Sequence, residues 1–223
     1  MANSPAATTP LRIDFVSDVV CPWCPIGLAA LEQALERVRG EIQAEIHVQP
    51  FELNPQLGAD GEDAVEHLKQ KYGMDDAQVA ENQEAIRRRG AELGFTFNME
   101  QRRRVYNTFD AHRLLHWAGL QGRQRELKHA LLRGYFSDGR NVSDHDTLVE
   151  IAATVGLQEA AAREILASTA YAEEVRADEQ YFQQAGIHSV PAIILDRKHL
   201  ISGGQPVEVF ERALRQVAAA RLS

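Results

Sequence analysis

Along the first fifty residues the apolar positions change period twice. In "LRIDFVSD" Leu11, Ile13 and Phe15 alternate with their neighbours, the period of a strand. In "IGLAALEQALERVRG" Leu28, Leu31, Leu35 and Val38 recur at helical spacing, with Gly40 placed to end the helix. "AEIHVQPFEL" returns to alternation at Ile46 and Val48, a second strand in which Pro50 marks a bulge, an edge or the end. Strand, helix and strand in this order make a βαβ unit with a right-handed crossover.

Beyond Asn54 the pattern becomes helical. "GEDAVEHLKQKYG", "DDAQVAENQEAIRRRGAELG", "NTFDAHRLLHWAGLQG", "RQRELKHALLRGYFSDG", "DHDTLVEIAATVG" and "EEVRADEQYFQQAG" carry helix-period apolar residues, and most close on glycine. The longest strand candidate in this block is "FTFN". Strand character returns in "VPAIILD" and "HLISG", joined by a polar turn around Asp196-Arg197-Lys198, and "VEVFERALRQVAAARL" predicts a closing amphipathic helix. The sum is an α/β chain with a thioredoxin-like fold: a four-stranded mixed sheet with flanking helices and a large all-helical insertion. The expected boundaries are 11–53 and 188–223 for the thioredoxin-like domain and 54–187 for the inserted helical domain.

Composition narrows the function classes. The chain has 223 residues, 44% of them hydrophobic and 25% charged, as in ordinary globular proteins, and a net charge of −8 that argues against nucleic-acid binding. The triplets Arg87-Arg88-Arg89 and Arg102-Arg103-Arg104 are expected to be solvated faces. No apolar run approaches the ~18 residues of a membrane span. "MANSPAATTP" lacks a basic start and an apolar stretch, so it does not read as a secretory signal; it is expected to fray, and a cytoplasmic location is expected.

There are two cysteines, Cys21 and Cys24, both in "DVVCPWCPIG". In a reducing compartment a lone close pair points to catalysis or metal binding rather than a structural staple. Zinc needs about four ligands, and only His112 and His116, far along the chain, offer a histidine pair at helical spacing. A dithiol catalyst needs an exposed thiol that readily forms a thiolate and a second, deeper thiol within reach. Cys21 at a loop–helix junction meets unpaired N–H groups and the helix dipole, and Cys24 lies one turn in, placed to resolve a mixed disulfide. Pro22 suits the first helical position; Pro25 is awkward and is expected to bend the backbone locally.

Pro191 opens an apolar strand expected to lie beside the strand that leads into the cysteines. If the Val190–Pro191 bond is cis, the Val190 backbone faces the thiols and can pair with an extended substrate; the alternative is an ordinary trans proline starting a strand. Trp23, Val190, Pro191 and Asn54 are the candidate substrate-binding residues. Asp18 is either a proton shuttle or a loop cap, and Asp14 is a weaker candidate for a buried acid.

The segments "FVSDVVCPWCPIG", "PFELNP", "VPAIIL" and "ISGGQP" resemble the DsbA-like thioredoxin family, most closely its FrnE-type cytoplasmic branch. The resemblance implies a thiol–disulfide oxidoreductase with Cys21 as nucleophile, Cys24 as resolving thiol and Pro191 as the cis-proline. Two departures are Pro25, where the branch usually has an aromatic residue, and "GGQP" in place of "GAQP". The expected partners are protein or small-molecule thiols and disulfides, with no nucleic acid and no membrane, for a monomer or homodimer. No cofactor or metal is required; glutathione is a candidate redox partner or ligand. The kappa-class glutathione transferases and 2-hydroxychromene-2-carboxylate isomerases share the insertion but use a serine where Cys21 stands, so a glutathione-dependent isomerase or transferase is the alternative. Asn54 resembles an asparagine that those relatives place near glutathione, or is a turn former before Pro55. The "SGGQP" turn either cradles a carboxylate or simply caps a helix. A non-catalytic peptide-binding or chaperone module is the second alternative.

Overall fold

The computed structural model describes residues 9–222. Most of the opening segment expected to fray lies outside the described residues, but Thr9 and Pro10 belong to the first strand, in register with Ile42 and Gln43. That strand, β1 (Thr9–Ser17), runs into the dithiol and then α1 (Trp23–Arg37), and β2 (Ile42–Pro50) lies parallel to β1. Far along the chain β5 (Ala192–Leu195) pairs antiparallel with β1, and β6 (His199–Ser202) antiparallel with β5. The sheet order is β2-β1-β5-β6, and α9 (Val207–Leu222) closes the chain. This is the predicted four-stranded mixed sheet.

The two faces of β1 go to different places. Leu11, Ile13 and Phe15 enter the main core with Leu28 and Leu31 of α1 and Phe210 and Leu214 of α9. Val16 joins a smaller cluster with Phe51, Phe182 and Ile187. Arg37 of α1 also bonds Glu208 and Glu211 of α9, but exposed ion pairs add little. Full burial of side chains such as Leu31 and Phe210 contributes about 1.5–3 kcal/mol each, so apolar packing decides where α1 sits.

Between β2 and β5 run β3 (Glu62–Asp63), α2 (Ala64–Tyr72), α3 (Asp76–Glu92), β4 (Arg104–Val105), α4 (Phe109–Leu120), α5 (Gln124–Phe136), α6 (His145–Thr154), α7 (Glu159–Leu166) and α8 (Ala172–Gln184). Glycine ends α2, where Gly73 adopts φ 66° and donates its N–H to Lys69. The β3–β4 ladder and α7 go beyond the sequence pattern: a two-residue pairing shows no alternation, and "EAAAREIL" carries too few large apolar residues to mark a stripe. "FTFN" is not a strand. Phe95 and Phe97 instead pack on each other (4.8 Å between ring centroids), and Phe97 packs on Phe136 (5.2 Å).

The second arginine triplet corrects the expectation of a solvated face. Arg102 is buried with its guanidinium over the rings of Tyr135 and Phe136, while Arg104 binds the carbonyls of Asp60 and Gly61. Aromatic faces accept a guanidinium that the sequence shows only as charge.

Candidate active site

The dithiol sits where β1 ends and α1 begins, as the periodicity predicts, with one shift. Cys21 precedes the helix, Pro22 is its cap, and Trp23 is its first residue. Pro25 therefore falls within the first turn, where an N–H has no intrahelical partner. The bend expected at Pro25 is unnecessary. The Cys24 N–H bonds the Cys21 carbonyl at 3.1 Å and folds the two residues into one turn.

Both cysteines are free thiols and both are buried, Cys24 completely and Cys21 to 3% exposure. An exposed Cys21 was expected; its cover comes from the far end of the chain. The Cys21 thiol donates to the Val190 carbonyl at 3.4 Å. Burial, above all, and then the neighbouring Cys21 sulfur hold the Cys24 thiol well above the usual range, against an opposing pull from the positive charge of Lys128. Cys24 is the deeper of the two thiols.

The Val190–Pro191 peptide bond is cis. Pro191 immediately precedes β5, beside the strand carrying the dithiol, and its carbonyl accepts from Gly203 N–H at 2.8 Å. Gly27 of α1 lies against the proline ring, since a Cβ there would stand 2.9 Å from Pro191 Cγ. The "GGQP" turn comes to the same place: a Cβ on Gly204 would lie 3.2 Å from the Trp23 carbonyl. Trp23 itself remains 38% exposed beside this turn.

Asp18 is fully buried and serves as a loop cap, accepting from Leu53 N–H at 2.7 Å. Its Oδ1 is also 3.5 Å from His112 Nε2, which in turn lies 3.2 Å from the Phe51 carbonyl. Burial pushes the Asp18 carboxyl up, but His112, the Leu53 N–H and the Lys128 charge outweigh it and hold the group below its usual range. The folded chain thus binds this proton less tightly than the unfolded chain. The resulting stability is present above the ordinary aspartate value near ~3.9 and is lost as pH falls toward the depressed one. Asp18→Asn is expected to cost about 1–3 kcal/mol at pH 7, with the deficit vanishing in acid; urea unfolding at neutral and acid pH measures both.

Asn54 is buried, and its reading as a turn former has a structural counterpart. Its carbonyl accepts the Leu57 N–H in a turn, and its Oδ1 lies 2.6 Å from Lys71 Nζ and 3.1 Å from His67 Nε2. Other candidates do not converge on the thiols. Asp14 is engaged by Arg12 and Gln49, and His116 lies beside Asp178 and Tyr171. Among the described residues no group of three or more His, Cys, Asp or Glu side chains is placed to hold a metal ion.

Three groups beside the site were missed. Tyr72, 56% exposed at the end of α2, has its phenol pKa raised by partial burial first and by the Cys21 sulfur second. Lys71 precedes it. Lys128 of α5 is fully buried. Its sequence signal was available, because Lys128 shares a helical stripe with Leu131, Leu132 and Tyr135.

A sheet of this order, with two thiols at the start of its first helix and a proline facing them, defines a thioredoxin-like protein. The chain belongs to the family of the DSBA-like thioredoxin domain, which it matches over residues 12–215. It is similar to the probable DsbA oxidoreductase SCO1869 from Streptomyces coelicolor, with 39% identity, 94% of this chain and 90% of that one covered, and a TM-score of 0.87. The uncharacterized protein YwbO of Bacillus subtilis (strain 168) is 28% identical over 206 residues, 92% of this chain and 96% of that protein. The cytosolic disulfide reductase DsbM from Pseudomonas aeruginosa, solved with GSH, shares the fold at 16% identity, with 92% and 98% of the two chains covered and a TM-score of 0.65. Among the described residues no helix is long and apolar enough to cross a membrane.

Proposed function

We propose that this chain is a cytoplasmic thiol–disulfide oxidoreductase of the FrnE type, exchanging disulfides through Cys21 and Cys24 without a cofactor or metal. The observation that carries this reading is the asymmetry of the pair: a nearly buried Cys21 against the Val190 carbonyl, and a fully buried Cys24 with a raised pKa one turn behind.

Cys21 thiolate attacks one sulfur of a substrate disulfide, forming a mixed disulfide and releasing the other sulfur as a thiolate. Cys24 gives up its proton to solvent, and its thiolate attacks Cys21 Sγ. The Cys21–Cys24 bond forms, the bond to substrate breaks, and the second thiolate leaves. Run backwards, the oxidised pair takes two electrons from a substrate dithiol. An extended substrate pairs with the Val190 backbone as an added strand, between the exposed rings of Trp23 and Tyr72. Glutathione is the small thiol assigned as redox partner: Lys71 offers an ammonium, bonded to the Asn54 amide oxygen, and the fold-sharing Pseudomonas reductase was solved with GSH.

The test is turnover of a disulfide-bonded reporter peptide in a glutathione buffer. Substoichiometric protein should convert many equivalents of peptide; a rate equal to that of glutathione alone refutes the reading.

A further inference from the structure

The sheet has a second face, turned away from α1 and α9, and its cover is incomplete. Phe182 of α8 and Ile187 after it pack with Val16 and Ala192. Beyond them the cover stops. Asp14, Ile194 and Leu200 stand side by side across β1, β5 and β6. Ile194 is only partly buried, Leu200 is 51% exposed, and Tyr181 of α8 is 61% exposed. These side chains line a cavity of about 460 Å³, within the range of small-molecule sites, ~300–1,000 Å³. Apolar side chains scattered over a surface need no explanation; apolar side chains gathered in a concavity do.

The charges around this cavity are unevenly satisfied. Asp14 accepts from Arg12 and Gln49, and Asp178 of α8 lies 4.0 Å from His116. Arg197 and Lys198, at the β5–β6 turn, also line the cavity, and among the described residues neither side chain has a hydrogen-bond or ion-pair partner. Asp196 and Arg197 both hold left-handed φ, 53° and 57°. A two-residue hairpin turn needs that conformation, and glycine or asparagine adopts it most readily. Arginine at the second position works against the turn, yet it sets a guanidinium on the cavity wall. In a chain of net charge −8, two bare cations beside an apolar floor select an apolar body that carries negative charge.

We propose that this cavity binds a small apolar acid, an aryl or branched alkyl carboxylate, with its body on Ile194 and Leu200 beside the Tyr181 ring and its carboxylate against Arg197 and Lys198. The guanidinium offers paired N–H donors that match a carboxylate, and the lysine adds a second charge. The site is separate from the dithiol. The Asp196 N–H bonds the Arg12 carbonyl at 2.9 Å, which ties the turn to the first half of β1, whereas Cys21 follows the other end of that strand. From Arg12 to Ser17 the strand runs roughly 16 Å, at ~3.3 Å per residue. Occupancy of the cavity therefore requires neither sulfur.

Two fluorescent probes read the site in the full, folded chain: anilinonaphthalene sulfonate, an aromatic anion, and phenylnaphthylamine, its uncharged relative. Phenylbutyrate should displace the sulfonate from one site per chain, and phenylbutanol, with the same body and no charge, should need about tenfold more. Arg197→Gln together with Lys198→Gln should weaken the sulfonate about tenfold, as loss of a hydrogen bond to a charged group does, and move phenylnaphthylamine by less than about twofold. Leu200→Glu, at a side chain too exposed to be needed for folding, should weaken both probes about tenfold. Cys21→Ser should change neither, so the outcome is independent of the exchange reading. Sulfonate binding that survives both sets of substitutions, or that phenylbutyrate fails to displace, overturns the assignment. So does a dimer in sedimentation that Leu200→Glu takes apart, because a second copy would then be what covers this face.

Discussion

Cys21→Ser is expected to abolish disulfide exchange, lowering turnover on the order of a thousandfold or more, while the chain still folds. Serine is close in size, and its hydroxyl can keep the contact to the Val190 carbonyl. What it cannot do is ionise near neutral pH or form a bond to a substrate sulfur that a second thiol can break. Cys24 cannot take over: it is fully buried, and burial together with the Cys21 site keeps it protonated. Turnover of the reporter peptide, with thermal unfolding as the folding control, measures both halves of the expectation. A variant that folds normally and keeps a tenth of the activity, about 1.4 kcal/mol of barrier, would remove Cys21 from the role of nucleophile.

Cys24→Ser should produce a different failure. The attack by Cys21 remains, but nothing resolves the adduct, so turnover falls by about a hundredfold or more and a mixed disulfide with glutathione accumulates on Cys21. Intact mass after incubation with oxidised glutathione shows the adduct directly. The outcome also separates the two enzyme readings, since a glutathione-dependent isomerase of small aromatic acids would keep its rate without Cys24. A buried hydroxyl left without a partner costs about 1–3 kcal/mol, so Cys24→Ala serves as the stability control. Trapping in both variants assigns the effect to the lost sulfur.

Much of the frame was legible because it is written in local period. The β1–dithiol–α1–β2 unit, the β5–β6 hairpin and α9 each carry their own alternation or stripe, and the turn at Gly73 announces itself through a backbone only glycine adopts cheaply. What stayed hidden depends on partners distant in sequence. Cys21 is covered by Val190, 169 residues away, so its burial has no signature near the "CPWC" stretch. Arg102 looks like surface until the rings of Tyr135 and Phe136 are placed beneath it. Asp18 reads as a cap or a shuttle from its neighbours alone; the structure adds His112, contributed by α4, and the charge of Lys128, contributed by α5. A charged residue on an apolar stripe was the one visible hint of that second contact.

The insertion is thus more than a cover. It contributes an exposed ring in Tyr72, the amide–ammonium contact of Asn54 with Lys71, and the buried side chains around Asp18. A thioredoxin-like sheet supplies two sulfurs and a facing proline; the helices bring His112 against Asp18 and the charge of Lys128 near it.

The account turns on whether the two sulfurs form one reversible couple. Equilibrating the unmodified protein in a series of glutathione buffers and reading its intact mass after acid quenching tests this directly. The account predicts a single transition between the dithiol and a form lighter by two hydrogens, reached from either direction and centred on one potential. A protein that stays fully reduced across the series, or gathers glutathione without forming the internal bond, would contradict it.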